Sequence, residues 1–154
     1  MYKLQFSSDL AAPAAKVWAR VSTMDGVNAE LHPLMHMTAP AAFMAAKLED
    51  APLNQTLFRS WLLLFCVLPV DRHALMFERF HAGTGFDERS TSWSQKLWMH
   101  RRRVLGTADG CRVTDELEFV PRLGLLGPLL KILVARIFMH RHHRLRALFG
   151  APAA

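Results

Sequence analysis

Alternation of apolar and polar positions is clearest over residues 110–121, GCRVTDELEFVP, and predicts a β-strand there. Val113, Leu117 and Phe119 share one parity, so we expect them to face a core while the glutamates between them face water. Asp115 has the parity of the apolar set, which predicts a carboxylate on the buried face. A buried charge is costly without a partner, and this strand therefore predicts a cation or hydrogen-bond donor beside Asp115.

The same periodicities predict the other elements. Alternating or continuously apolar runs predict strands over residues 2–8, 55–68, 73–82, 86–94, 95–106 and 110–121. The spacing of Val17, Trp18 and Val21 predicts a helix after the first strand, and Gly26 either ends that helix or lies in a short second one. Residues 34–50 are ambiguous because prolines punctuate them, and their alanine-rich part fits either a strand or irregular structure.

The hydrophobic period changes from two to about 3.6 after residue 126. Leu130, Leu133 and Ile137 have the spacing of a long amphipathic helix, which Gly150 ends. Strands gathered between helices are typical of an α+β fold. We expect about six or seven antiparallel strands, one or two short helices after the first strand, and a last helix long enough to cover the sheet.

Composition places the chain among ordinary folded domains, with 51% hydrophobic and 21% charged residues in a total of 154. We expect one domain over residues 1–150 and a short tail over 151–154. Cys66 and Cys111 have no metal or redox spacing, which indicates reduced core thiols in a cytoplasmic protein. The longest apolar stretch, residues 123–139, is too short and too charged to favour a membrane-spanning helix.

The net charge of +6 is concentrated at residues 101–103 and 136–146. Basic clusters can bind nucleic acid or anionic membranes, but no nucleic-acid-binding motif accompanies them, so we expect no nucleic-acid partner. The basic residues of the last helix also fit transient contact with a membrane surface. His140, His142 and His143 are expected to be exposed cations near a helix C-terminus, and their spacing without a carboxylate does not predict a metal site.

Four ionisable side chains are predicted to converge on the inward faces of neighbouring strands: Glu88, His100, Arg102 and Asp115. Opposite charges on adjacent strands can pair across a sheet. Three roles fit this set. It can be a structural salt-bridge network, the polar end of an apolar ligand cavity, or an acid–base site in which His100 works with Asp115 or Glu88.

Three segments resemble the START-like superfamily, also called SRPBCC, which includes the birch-pollen allergen fold, polyketide cyclases and coenzyme Q-binding proteins. The matching positions are Leu10, Ala12, Pro13, Val17 and Trp18 after the first strand; Asp87 and Glu88, then Trp98, His100 and Arg102 on later strands; and Asp115, Leu117, Phe119, Pro121, Leu123 and Gly124 before the last helix. Related bacterial sequences often have histidine where this chain has Arg102.

This resemblance implies a helix-grip fold, a curved antiparallel sheet wrapped around the C-terminal helix with a cavity between them. It also implies binding of a hydrophobic small molecule such as a lipid, quinone or polyketide, without a cofactor or metal. The expected ligand-binding residues are Glu88, Ser90, Trp98, His100, Arg102, Asp115, Leu117 and Arg141. Cyclase, dehydratase or hydrolase chemistry is the alternative, with His100, Asp115 and Glu88 as candidate catalytic groups, and membrane or partner association through the basic helix is another.

Overall fold

A computed structural model describes residues 1–44 and 46–152 of the chain, and these residues form eight strands and four helices. In chain order they are β1 (Tyr2–Leu10), α1 (Ala14–Val21), α2 (Met24–Leu31), β2 (Met35–Met37), α3 (Ala41–Met44), β3 (Phe58–Leu64), β4 (Leu68–Leu75), β5 (Phe77–His81), β6 (Gly85–Ser92), β7 (Gln95–Thr107), β8 (Gly110–Pro121) and α4 (Gly127–Phe149).

All eight strands belong to one antiparallel sheet in the order β1-β8-β7-β6-β4-β3-β2, and β5 pairs with β6 beside that path. The sheet curls around α4 as a half-barrel, which confirms the predicted helix-grip fold. α1 and α2 follow the first strand, as expected. None of the helices in the described ranges combines the length and apolarity needed to cross a membrane.

The long β7–β8 hairpin lies inside the sheet, between β1 and β6. Arg102 on β7 lies directly opposite Asp115 on β8, and Phe6 of β1 lies opposite Asp115 on the other side. The alternation predicted for β8 is confirmed, because Val113, Asp115 and Leu117 are all buried. The hairpin therefore carries its charged pair on the face that the helices cover.

Two groups of apolar side chains fill the interior. One group joins α1 to the sheet near Leu10, Trp18 and Val104. The other lies where Leu117 and Phe119 meet α4, and it includes Val134 and Phe138 of that helix. α4 thus covers the sheet, and Gly150 ends it with a φ of 78° that favours glycine.

The predicted strands over residues 55–68 and 73–82 are wrong in their boundaries. A turn at Phe65 and Cys66 separates β3 from β4, and Pro69 lies inside β4 rather than after a strand. Both turn residues have positive φ, of 50° and 64°, although neither is a usual turn former. The apolar run therefore concealed the turn, and Met76 divides the second predicted strand into the end of β4 and β5.

Two smaller expectations also need correction. Within the described part of residues 34–50 lie β2, α3 and a 3-10 turn, and β2 is an edge strand of the sheet that the sequence pattern left unassigned. Cys111 is a buried free thiol as expected, but Cys66 is half-buried in the β3–β4 turn rather than in the core.

Candidate functional site

Asp115 is completely buried and accepts four hydrogen bonds. Its Oδ1 lies 2.7 Å from both His100 Nε2 and Arg102 Nε. Its Oδ2 lies 2.7 Å from Arg102 Nη2 and 3.0 Å from His142 Nε2. A carboxylate has about four lone-pair sites, so these partners satisfy Asp115 without a ligand.

Arg102 joins the sheet to α2. Its Nη1 and Nη2 donate to the two oxygens of Glu30 at 2.6 and 2.9 Å, while Nε and Nη2 hold Asp115. Glu30 lies on α2 and is 1% exposed, and Arg141 of α4 also donates to it from Nε at 2.9 Å. The Arg102 guanidinium, placed between two carboxylates, therefore connects β7, β8 and α2. Arg141 connects α4 to the same set through its hydrogen bond to Glu30.

His142 continues the network toward β1. Arg146 donates to Ser8 Oγ at 2.6 Å, and Ser8 Oγ lies 2.8 Å from His142 Nδ1. Because the Asp115 carboxylate can only accept, His142 donates to it from Nε2. His142 is thus a buried hydrogen-bonding residue and not the exposed group that the sequence suggested.

A second buried carboxylate, Glu88 on β6, connects two histidines. His73 Nε2 of β4 lies 2.7 Å from Glu88 Oε1, and Ser90 Oγ donates to the same oxygen at 2.6 Å. His100 Nδ1 lies 3.4 Å from Glu88 Oε2 while its Nε2 meets Asp115. Both nitrogens of His100 therefore face carboxylate oxygens.

The buried ionisable groups pair with one another. The carboxylates of Glu30, Glu88 and Asp115 contact the side chains of His100, Arg102 and Arg141. A fourth buried carboxylate, that of Asp71, is held instead by serine hydroxyls and backbone N–H groups. A fully paired set of this kind avoids the cost of an isolated buried charge.

The pKa values of the three carboxyls follow from these contacts. Burial alone would raise the pKa of Asp115 and Glu30, but the Arg102 guanidinium, together with the other charged and hydrogen-bonding groups beside them, more than offsets burial and holds both below their ordinary values. For Glu88, burial is likewise outweighed by the contacts with His100 and His73 taken together, which lower its pKa. Burial would lower the pKa of Arg102, but Asp115 and Glu30 raise it.

A cavity of about 250 Å³ lies beside this network, between the sheet and α4. Most of its wall is apolar, formed by side chains of α2, β2, β3, β4, β7 and α4, including Met35, Met37, Leu62, Trp98, Val134 and Phe138. Its polar groups are Asp71, His73, Glu88, Ser92, Ser94, Gln95, His100 and Arg141. An apolar pocket with a few placed polar groups is the usual composition of a small-molecule site.

The residues predicted to bind ligand fall into two groups in the structure. Glu88, Trp98, His100 and Arg141 line the cavity. Ser90, Arg102, Asp115 and Leu117 lie behind its wall, where Ser90 supports Glu88 and Leu117 packs in the core beneath α4. The predicted convergence of Glu88, His100, Arg102 and Asp115 is present as a continuous set of contacts.

Several network residues were not predicted. Asp71 and His73 share the parity of buried Leu75, which indicates that both side chains face inward. His73 opens the strand predicted over residues 73–82, and Asp71 lies two residues before that strand. His142 lies four residues after Phe138 and three before Leu145, on the buried stripe of α4. Glu30 had no comparable local signal, since its partners are more than 70 residues away.

Metal binding has no support in the geometry of residues 1–44 and 46–152. Among them no group of three or more histidine, cysteine, aspartate or glutamate side chains is arranged to hold a metal ion. His140 donates from Nε2 to the carbonyl of His32 at 2.9 Å, while His143 is exposed.

Solved structures share this fold over nearly the whole chain. Protein CV1439 from Chromobacterium violaceum has a TM-score of 0.72 and 12% identity, covering 97% of this chain and 99% of its own. A START superfamily protein from Mycobacterium smegmatis has a TM-score of 0.68 and 11% identity, covering 97% of both chains. Ara h 8.0201 has a TM-score of 0.58 and 9% identity, covering 95% of this chain and 98% of its own. The protein therefore has a START-like, helix-grip fold.

The family is defined at the level of sequence as well. A family model described as a domain of unknown function, DUF8410, matches residues 8–149, and the chain belongs to this family. No curated protein matches the chain.

Removal of Arg102 should destabilise the protein far more than removal of a comparable exposed arginine. Arg102→Met leaves Glu30 and Asp115 buried without their main cation, and we expect the free energy of unfolding to fall by about 3–5 kcal/mol. Arg112→Met is the matched control, because Arg112 also binds an aspartate through two nitrogens, but on the exposed face of the sheet. Its loss should change stability little. Urea unfolding of both variants measures the difference, and equal losses would contradict the assigned role of Arg102.

Acid should unfold the protein through the buried carboxylates. A group whose pKa is lowered by folding adds stability above its unfolded pKa, near 4.5 for glutamate, and this stability is lost as pH falls toward the folded value. We therefore expect the free energy of unfolding to fall progressively below about pH 4.5. Glu30→Gln removes one such group and should flatten this slope, whereas Glu78→Gln, at a site exposed to solvent, should not. Urea titrations at several pH values test this, and parallel slopes in wild type and Glu30→Gln would contradict it.

Proposed function

We propose that this protein binds an apolar small molecule carrying at least one polar group, in the cavity between the sheet and α4. The observation that carries the proposal is the asymmetry of the cavity wall, which is apolar toward α4 and the edge strands and polar along β4, β6 and β7. Lipids, quinones and polyketides all have this character. The volume of about 250 Å³ is close to the lower end for small-molecule sites and favours a compact ligand.

Gln95 supplies a further argument for a ligand with a hydrogen-bond donor. Its side chain lines the cavity, and its Oε1 is buried without a hydrogen-bond partner among the described residues. Buried polar atoms are almost always satisfied, so an unpaired oxygen in a cavity wall suits a hydroxyl or amine of a bound molecule. The neighbouring Asp71 is already satisfied by Ser92, Ser94 and the backbone of Arg72.

Filling the cavity should weaken binding of a small apolar fluorophore such as 1-aminoanthracene. Val134 is 6% exposed and lines the cavity, so Val134→Phe should weaken binding by about tenfold or more through overpacking. Ile132→Phe is the matched control, because Ile132 lies on the same helix but is 57% exposed. Fluorescence titration measures the affinity. Equal binding by both variants, or no binding by the wild type, would contradict the proposal.

Peripheral membrane contact is a second candidate function, favoured by one surface. The segment from residue 119 to the C-terminus contains no aspartate or glutamate. Leu125 is 98% exposed, Leu129 and Ile132 are more than half exposed, and Lys131 and Arg136 lie among them. Exposed apolar side chains flanked by cations are typical of surfaces that bind anionic lipids.

Vesicle sedimentation tests this second function. The wild type should sediment with vesicles containing phosphatidylglycerol at low salt and less with pure phosphatidylcholine, because the surface combines apolar and positive groups. Leu125→Glu with Leu129→Glu should abolish sedimentation. Thr107→Glu with Ala108→Glu adds the same charge at the end of β7 and in the turn that follows it, and this variant should still sediment. Wild type that stays in the supernatant with both vesicle types would remove this function.

A further inference from the structure

His73 differs from the other buried histidines in having a ring nitrogen that no protein group occupies. His100 directs both nitrogens at carboxylates, and His142 lies between Asp115 and Ser8. His73 uses only Nε2, which meets Glu88 at 2.7 Å. Among the described residues, Nδ1 of His73 has no hydrogen-bond partner, and it keeps some accessible surface. The His73 side chain lines the cavity, which leaves Nδ1 as its ring nitrogen available to a bound molecule.

The contact with Glu88 decides which nitrogen of His73 carries the proton. The Glu88 carboxylate can only accept, so His73 is protonated on Nε2. In the neutral ring the lone pair then lies on Nδ1, the nitrogen that no protein group occupies. A carboxylate that holds one imidazole nitrogen while the other faces the reaction space is the arrangement of a general base.

We propose that His73 is a general base and acid that moves a proton on a carbonyl-bearing apolar ligand, as in keto–enol isomerisation or the enolisation that begins an aldol cyclisation. This rests on the proposed binding of an apolar ligand in the same cavity. It assigns acid–base chemistry to His73 rather than to His100, whose two nitrogens are both engaged.

The proton transfer balances without a further reagent. Nδ1 of His73 removes the proton α to the carbonyl, the C–H bonding pair forms the carbon–carbon double bond, and the carbonyl π pair moves to oxygen. The resulting imidazolium is stabilised by the Glu88 carboxylate. Arg141 lines the same cavity and provides positive charge for the enolate oxygen. Return of the proton to carbon or oxygen restores neutral His73.

Two measurements test this proposal. Long-range ¹H–¹⁵N NMR of the histidine rings at neutral pH, assigned with His73→Gln, should show His73 neutral and protonated on Nε2; a proton on Nδ1 would overturn the proposal.

The second measurement follows exchange of the α hydrogens of 2-tetralone, a compact apolar ketone, in D₂O. The protein should exceed an equal concentration of free 4-methylimidazole by about 10²-fold or more.

The variants separate a base from a structural residue. His73→Gln keeps an N–H that can donate to Glu88 but has no ring lone pair, so it should fold and lose at least about tenfold of the exchange rate. His143→Gln changes an exposed histidine and should keep the wild-type rate. Wild-type exchange at the level of free imidazole, or exchange that His73→Gln leaves unchanged, overturns the proposal. Binding is measured separately, by quenching of tryptophan fluorescence by the ketone and by the fluorophore titration above. Absence of catalysed exchange in the wild type, with binding intact, would therefore contradict the proposed base without contradicting the proposed binding function.

Discussion

The Arg102 guanidinium, placed between the carboxylates of Asp115 and Glu30, is the interaction on which the rest of the structure depends. It is fully buried, so its charge is tolerable only because two carboxylates take up its donors. Those carboxylates in turn require His100, His142 and Arg141. The positions of α2 and α4 on the sheet are thus set by charge pairing as much as by apolar packing.

The network also explains why part of the cavity wall is polar. Asp115 and Arg102 are completely buried, and their polar side-chain atoms are hydrogen-bonded within the protein. Their role is therefore structural. Glu88 and His73 stand one contact further out, where the sheet borders the cavity. Polar groups that would be costly in an apolar pocket are thereby held by neighbours that are already paired. The site thus has an inner pair, Asp115 and Arg102, whose hydrogen bonds are made within the protein, and an outer pair, Glu88 and His73, that borders the cavity and can still contact a ligand.

The sequence predicted the parts of this site that local periodicity encodes. Strand parity placed Asp115, Arg102, His100 and Glu88 on one face, and the structure confirms it. Glu30 could not be found in this way, because no spacing rule tells which strand a helix will meet. The Phe65–Cys66 turn was missed because its residues give no turn signal, and that error displaced the start of β4 and left Asp71 outside the predicted strand.

The contacts of this network join residues that are far apart along the chain: Glu30 to Arg102 across 72 positions, Glu30 to Arg141 across 111, and Ser8 to His142 across 134. Contacts of such long range form slowly, and none of these charges can leave water at low cost before its partners arrive. α4 must therefore pack against the sheet before water can leave the interior. A chain emerging from the ribosome would hold a hydrated, unfinished core until α4 is synthesised, and folding should complete in one late cooperative step.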